Sequence, residues 1–228
     1  MSNLTPVQKA MSYFLKITVI VATIIGVSHT IYVSSMTAVG GQSALMFFTI
    51  QSNIGIAVVC FIGCFLMQGH KPVSRVWHVI KFVSTVSITL TGVVFGLILA
   101  PTLGTEAWNI RNTLTHLIVP MASVADFFVV GTGTRIRNEE IVYVIIPPLL
   151  YAIYASVGYV NGWEFVEGYN YPYFFLNWGS KAGAFGFTNE LPFMGTAWWI
   201  LALFIFLMIV GYIYVVISRK VDSLEEYM

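Results

Sequence analysis

Two residues in this sequence, Thr49 and His116, are of the types that together can cleave an ester. A threonine hydroxyl is a poor nucleophile until a base takes its proton, and histidine is the usual base. Both residues lie in apolar stretches, where a bilayer makes strongly polar side chains costly and where such residues mark functional sites. The pair therefore predicts acyl transfer to Thr49 with His116 as the general base.

Supporting polar residues are expected at the same level of the membrane. An amide four residues from a catalytic residue shares its helix face and can orient an imidazole or donate to a developing oxyanion. Pro120, four residues after His116, leaves the His116 carbonyl without its normal helical donor. The candidates for orienting or oxyanion-stabilising groups are Asn53, Asn112, Gln51 and His29.

Non-catalytic explanations remain open for these residues. A threonine in a membrane helix commonly donates to the carbonyl four residues earlier, and an interior histidine can simply bridge helices. A haem or metal protein that uses His29 and His116 is a further alternative. Against this alternative, the sequence lacks the second, inner histidine pair expected of a bis-histidine haem protein, because His70 and His78 lie together at one helix end. A lipid-binding protein or transporter without catalysis is the main competing class.

The elements that would position these residues are membrane helices. Of the 228 residues, 57% are hydrophobic and 9% are charged, against roughly 25% charged in soluble domains. The net charge of +1 and the lack of a basic run argue against a nucleic-acid partner. Six stretches can cross about 30 Å of hydrocarbon. We predict one all-α domain over residues 1–228, with spans at Met11–Tyr32, Leu45–Met67, Val79–Ala100, Thr113–Val130, Ile141–Val160 and Thr196–Ser218.

The distribution of lysine and arginine predicts that both termini are cytoplasmic, because these residues are enriched in cytoplasmic segments. Only Arg111 and Lys181 fall near the predicted outer ends of the spans. Nine fall near the inner ends: Lys9, Lys16, Lys71, Arg75, Lys81, Arg135, Arg137, Arg219 and Lys220. In this orientation Thr49 and His116 lie at one level near the outer face.

The connection from Asn161 to Gly195 is long and aromatic. Such a loop is expected either to lie in the membrane interface as an aromatic belt or to fold over the bundle as a lid. On the inner half of the fourth span, Asp126 needs a partner or a proton. We expect it to be structural, either within an internal polar network or near Arg135 and Arg137.

Three segments carry a resemblance to a known family. Phe47 to Asn53 (FFTIQSN) resembles a motif at the start of the family's second helix, and Asn112 to Pro120 (NTLTHLIVP) resembles its histidine motif. Gly162-Trp163 followed by Tyr171-Pro172-Tyr173 resembles its outer-loop segment. The family is the androgen-induced-gene and androgen-dependent TFPI-regulating proteins, six-pass membrane threonine hydrolases with many bacterial members.

The resemblance implies a function. Members of the family in animals cleave fatty acid esters of hydroxy fatty acids, and their nucleophile and histidine correspond here to Thr49 and His116. The expected protein is an intramembrane lipid-ester hydrolase of the bacterial inner (plasma) membrane, with its site toward the outer face. Its partner is a membrane lipid or acyl ester, and it needs no metal or organic cofactor. The outer loop is longer and richer in aromatic residues than the family's pattern, which leaves the ester open.

Overall fold

The computed structural model describes residues 4–69 and 72–225. Within these ranges the secondary structure is helical, without a β-sheet, and six helices are long and apolar enough to cross a membrane. The chain is thus an integral membrane protein by helix length and composition, as predicted. The helices are α1 Pro6–Ser34, α2 Phe48–Leu66, α3 Arg75–Trp108, α4 Ile110–Val129, α5 Asn138–Val160 and α6 Thr196–Glu225.

Local sequence signals explain several helix starts. Thr5 caps α1 by accepting a hydrogen bond from the backbone N–H of Gln8, whose side chain accepts from Thr5 N–H in return. Ser74 and Asn109 accept from backbone N–H groups in the first turns of α3 and α4. The start of α2 has no side-chain cap. Its free N–H groups are therefore available to another part of the molecule.

The third helix connects the two halves of the bundle. Helix α1 packs on α2 and α4, while α3 packs on α2 and α4 and also contacts α5 and α6. The larger buried cluster joins α3, α4, α5 and α6 around Phe82, Phe127 and Leu207. A smaller cluster around Val19, Ile56 and Val119 fills the space among α1, α2 and α4.

Two π-helical turns interrupt α3 and α4 at residues 95–99 and 114–118. In α3 the N–H of Ala100 donates to the Phe95 carbonyl, and in α4 the N–H of Val119 donates to the Leu114 carbonyl. A proline directly follows each of these donors, and proline has no N–H to continue the normal ladder. Such turns are frequent at functional sites.

The boundaries of the helices differ from the predicted spans in one notable place. We expected the third span to end at Ala100, before Pro101, but helical structure continues to Trp108. Pro101 is tolerated because it lies in the first turn of the short helix Ala100–Leu103, where its missing N–H leaves no bond unmade. A 3₁₀ segment, Gly104–Trp108, then completes α3.

Two of the basic residues assigned to the inner helix ends lie inside the bundle instead. The side chains of Lys16 and Lys81 are 1% and 3% exposed. Both form ion pairs with Asp126. They therefore cannot be counted as cytoplasmic loop charges. Lys71, which the count also used, lies outside the described residues.

The connection between α5 and α6 packs against the helices. Phe165, Phe175 and Leu176 are buried in the larger cluster. The indole N–H of Trp178 donates to Ser156 Oγ of α5 at 3.1 Å. This segment thus forms part of the wall at the end of the bundle that also carries the α1–α2 and α3–α4 connections.

Candidate functional site

Thr49 lies at the polar end of an apolar cavity. It is the second residue of α2, and its side chain is half-buried. The space free of protein atoms in the cavity and at its open mouth is about 570 Å³. The described residues that line it carry no charged side chain and are mostly apolar, among them Val94, Phe95, Leu99, Ile200, Leu203 and Phe204. The cavity suits a hydrocarbon chain.

The hydroxyl groups in this cavity are not equivalent. Tyr151 donates to the Met46 carbonyl, and Thr91 is paired with Ser52 at 2.7 Å. Within residues 4–69 and 72–225, the Thr49 hydroxyl has no partner as close as these and lies 3.4 Å from the hydroxyl of Tyr173. It is therefore the threonine hydroxyl best placed to meet a ligand in the cavity.

Tyr173 comes from the α5–α6 connection and completes the uncapped start of α2. Its hydroxyl oxygen accepts a hydrogen bond from the Thr49 backbone N–H at 3.4 Å. Its ring is stacked on Phe175, with ring centroids 5.1 Å apart and planes 6° apart, and lies edge-on to Phe47. Burial raises the pKa of the Tyr173 phenol above its ordinary value, so the group is protonated at neutral pH and has a proton to donate.

The imidazole of His116 is held in the protonation form that a base requires. Its Nδ1 lies 3.1 Å from the Asn112 carbonyl oxygen and 3.0 Å from Thr115 Oγ1. A carbonyl can only accept, and the Thr115 hydroxyl already donates to the Arg111 carbonyl at 2.9 Å. Nδ1 is therefore the protonated nitrogen in neutral His116, which leaves the lone pair on Nε2.

Asn53 links the two motifs. Its side-chain Nδ2 donates to the Thr49 carbonyl at 2.8 Å and to the Thr115 carbonyl at 3.1 Å. This buried amide thus joins the turn of α2 that carries Thr49 to the residue directly before His116. The two predicted catalytic residues lie at neighbouring levels of adjacent helices.

The same two residues, both in the described part of the chain, are not hydrogen-bonded to each other. The Thr49 hydroxyl lies beside Tyr173, and the imidazole Nδ1 lies beside Asn112 and Thr115. His116 faces a groove between α3 and α4, together with Gly92, Gly96 and Pro120. Phe95 stacks on the imidazole with centroids 3.8 Å apart and also lines the Thr49 cavity. The Phe95 ring therefore borders both halves of the candidate site.

Glycine allows α3 to approach the histidine motif closely. A Cβ atom on Gly92 would lie 2.9 Å from the His116 carbonyl oxygen and 3.2 Å from the Pro120 ring. This carbonyl is the one that Pro120 deprives of its helical donor. A larger side chain at position 92 would push α3 away from the π-helical turn that carries His116.

The side chains expected to orient the imidazole or to stabilise the oxyanion do neither. The Asn53 amide is committed to two carbonyls, and Asn112 donates its amide to the Ala107 carbonyl at 2.8 Å. Gln51 is exposed and donates to the Leu45 carbonyl, and His29 is exposed on α1. Of the four, Asn112 does orient the imidazole, but through its backbone carbonyl rather than its side chain.

Sequence reasoning did not identify Tyr173 as a site residue. The Tyr171-Pro172-Tyr173 segment stood out only as part of the family resemblance. A loop has no periodicity that would indicate which of its side chains points into a bundle. The position of Tyr173 beside Thr49 is therefore information that only the fold supplies.

A second polar cluster lies toward the opposite end of the bundle, deeper than the Thr49 cavity. Asp126 on α4 accepts from Lys16 on α1 at 2.6 Å, from Ser12 on α1 at 2.5 Å, and from Lys81 on α3. All four side chains are almost fully buried. The expectation of an internal polar network at Asp126 was right, but its partners are lysines on other helices and not Arg135 or Arg137.

No protein-family model, curated protein or solved structure matches this chain.

Proposed function

We propose that this protein is an intramembrane lipid-ester hydrolase with Thr49 as the nucleophile and His116 as the general base. The observation that carries the proposal is the Thr49 hydroxyl at the polar end of an apolar cavity inside a membrane bundle. An acyl chain would occupy the apolar part and bring its ester carbonyl to Thr49. The resemblance to threonine hydrolases points to fatty acid esters of hydroxy fatty acids, or similar acyl esters, as the substrate.

In the proposed reaction, Nε2 of His116 takes the Thr49 proton as Oγ1 attacks the ester carbonyl carbon. The resulting tetrahedral intermediate collapses to a threonine acyl ester, and His116 gives the proton to the departing alkoxide. Water then attacks the acyl ester with His116 as base, which releases the fatty acid and returns the proton to Thr49. The Phe95 ring has to move for the imidazole to reach the cavity, because it stacks on His116 and lines the cavity wall. Such a change on substrate binding is common, since catalytic hydrogen bonds often form only in the substrate complex. No step needs a metal or an organic cofactor.

A fluorophosphonate probe tests this proposal directly. We expect the purified protein in lipid nanodiscs to gain one phosphonyl group, located by mass spectrometry on Thr49. A fatty acid ester of a hydroxy fatty acid should slow the labelling by competition and should itself be hydrolysed. Absence of both labelling and hydrolysis, in protein that keeps its thermal transition, would overturn the proposal.

Replacing His116 with glutamine should lower the labelling rate by about 10²- to 10⁴-fold, the usual contribution of a general base. Glutamine keeps a polar side chain at the π-helical turn but cannot take the Thr49 proton. The matched control is His29→Gln, because His29 is an exposed histidine of α1. Equal labelling rates in the two variants would show that His116 is not the base.

We further propose that the protein lies in a bacterial inner (plasma) membrane, with both termini cytoplasmic and the Thr49 end of the bundle facing outward. Without Lys16 and Lys81, seven basic residues still lie near the inner ends against two near the outer ends.

Reporter fusions test this orientation. Alkaline phosphatase fused after Gly40, Gly104 or Gly168 should be active, because it would be exported. Green fluorescent protein fused to the C-terminus should fluoresce, because it would stay in the cytoplasm. The opposite pattern would reverse the orientation.

The competing function is a lipid-binding protein or transporter without catalysis. The observation in its favour is that the Thr49 hydroxyl and the imidazole of His116, both among the described residues, make no hydrogen bond with each other. This alternative predicts saturable binding of the acyl ester with no hydrolysis and no phosphonyl adduct. Substrate-dependent uptake into proteoliposomes would separate transport from simple binding.

A further inference from the structure

An ester hydrolase needs a hydrogen-bond donor for the negative charge that develops on the carbonyl oxygen. The amide donors expected from the sequence are committed to backbone carbonyls, as described above. Two donors remain beside the Thr49 hydroxyl, namely the Thr49 backbone N–H and the hydroxyl of Tyr173. The N–H belongs to the first turn of α2, where the helix leaves its donors unpaired and carries a partial positive charge.

One of the two donors already has a partner when the cavity holds no substrate. Tyr173 accepts from the Thr49 N–H, and this contact leaves its own proton free to be donated. Stacking on Phe175 and the edge contact with Phe47 fix the ring, so its hydroxyl does not have to be ordered during the reaction. Because burial raises the pKa of this phenol, it keeps its proton at neutral pH.

We propose that Tyr173 is a catalytic residue that donates its O–H to the oxyanion of the tetrahedral intermediate, with the Thr49 N–H as the second donor. This inference rests on the proposed hydrolase function. As Thr49 Oγ1 forms its bond to the carbonyl carbon, the electron pair of the C=O bond moves to the carbonyl oxygen between the two donors. Tyr173 keeps its proton throughout. The electron pair re-forms the C=O bond when the alkoxide leaves with the proton from His116.

The α5–α6 connection therefore contributes a hydrogen-bond donor to the oxyanion, in addition to covering the cavity. Its sequence would be constrained by transition-state stabilisation as well as by packing. A change that shifts Phe175 or Phe47 should act on the reaction through the position of the Tyr173 hydroxyl.

The test compares Tyr173→Phe with wild-type protein in nanodiscs, using a chromogenic medium-chain acyl ester. Phenylalanine keeps the stacked ring and removes only the hydroxyl. We expect kcat to fall by about 10²- to 10³-fold, the usual loss for one oxyanion donor, while KM changes little. The KM should stay close to the wild-type value because the charge that the hydroxyl stabilises develops only in the transition state. Tyr169→Phe is the matched control, since Tyr169 is an exposed tyrosine of the same connection and should keep the wild-type kcat.

The outcomes separate this inference from the function on which it rests. A Tyr173→Phe protein with wild-type kcat, alongside an inactive Thr49→Ala protein, would overturn the role of Tyr173 and leave the hydrolase intact. Hydrolysis by the Thr49→Ala protein would overturn both. If Tyr173→Phe loses the thermal transition of the wild type, 3,5-difluorotyrosine at position 173 replaces it. That residue keeps the hydroxyl but changes its acidity, and an unchanged kcat would again overturn the role of Tyr173.

Discussion

Replacing Thr49 with alanine is expected to lower kcat for ester hydrolysis by on the order of 10⁴- to 10⁶-fold, the loss seen when a covalent nucleophile is removed. The methyl group of alanine fills part of the same space but has no oxygen to form the acyl ester. Thr49→Ser should keep measurable turnover and phosphonyl labelling, because serine supplies the same hydroxyl at the start of α2.

The comparison needs a control that removes a threonine hydroxyl elsewhere in the membrane. Thr18→Ala serves, because Thr18 is an α1 residue whose hydroxyl donates to the Phe14 carbonyl of its own helix. It should retain wild-type kcat and labelling. Steady-state hydrolysis and the mass of the intact protein after labelling give both readouts. An alanine variant at position 49 with wild-type turnover would exclude Thr49 as the nucleophile.

The Thr49→Ala substitution should affect substrate binding much less than turnover. Apart from Phe48 and Thr49 of α2, the cavity wall is built from α3, α5, α6 and the α5–α6 connection, and none of these other elements changes in Thr49→Ala. The variant should therefore still bind the acyl ester, with an affinity close to that of the wild type. Tight binding without turnover in this variant, together with turnover in the wild type, would also exclude the purely lipid-binding alternative.

The sequence predicted the six helices because a bilayer imposes one requirement on every crossing segment, a long apolar run. It also predicted the common level of Thr49 and His116, which the Asn53 bridge between their helices supports. Depth follows from counting residues along a helix. The rotation of each helix about its axis does not follow from that count, and this rotation places Phe95 beside the imidazole. Tyr173 reaches Thr49 through the fold of the α5–α6 connection, which has no periodic pattern to read.

The buried lysines show that sequence patterns also do not predict ion pairs between residues far apart in the chain. Counted from the helix ends, Lys16 and Lys81 resemble the basic residues that flank cytoplasmic loops. Their partner is Asp126, which is 110 residues from Lys16 and 45 residues from Lys81 along the chain. A pairing over such distances has no local sequence signal, so both residues were assigned to the wrong environment while Asp126 seemed to lack a partner.

Replacing Asp126 with asparagine is expected to cause the largest loss of stability among single substitutions in the inner half of the bundle. Asparagine has nearly the same shape but no charge, so the buried ammonium groups of Lys16 and Lys81 lose their counter-ion. Removing one partner from a buried ion pair typically costs about 3–5 kcal/mol. Since each kcal/mol shifts the unfolding temperature of a chain of this size by about 2–4 °C, the midpoint should fall by about 6–20 °C.

A carboxylate in an exposed ion pair provides the control. Glu190 accepts from Lys181 at 2.7 Å, but both side chains are more than two-thirds exposed. Surface pairs of this kind contribute about 0–1 kcal/mol. Glu190→Gln should therefore unfold within a few degrees of the wild type in the same detergent. An Asp126→Asn protein that unfolds at the same temperature as Glu190→Gln would contradict the role given to the buried cluster.

A triple variant distinguishes lost charge balance from lost packing. Lys16→Met, Lys81→Met and Asp126→Leu together remove all three charges while keeping side chains of similar volume. Replacing a buried ion network with apolar residues is often neutral or stabilising, because no charge is then left in a low-dielectric interior. The triple variant should accordingly recover most of the unfolding temperature that Asp126→Asn loses. If it unfolds as early as the single variant, the geometry of the cluster, and not its charge balance, stabilises the packing of α1, α3 and α4.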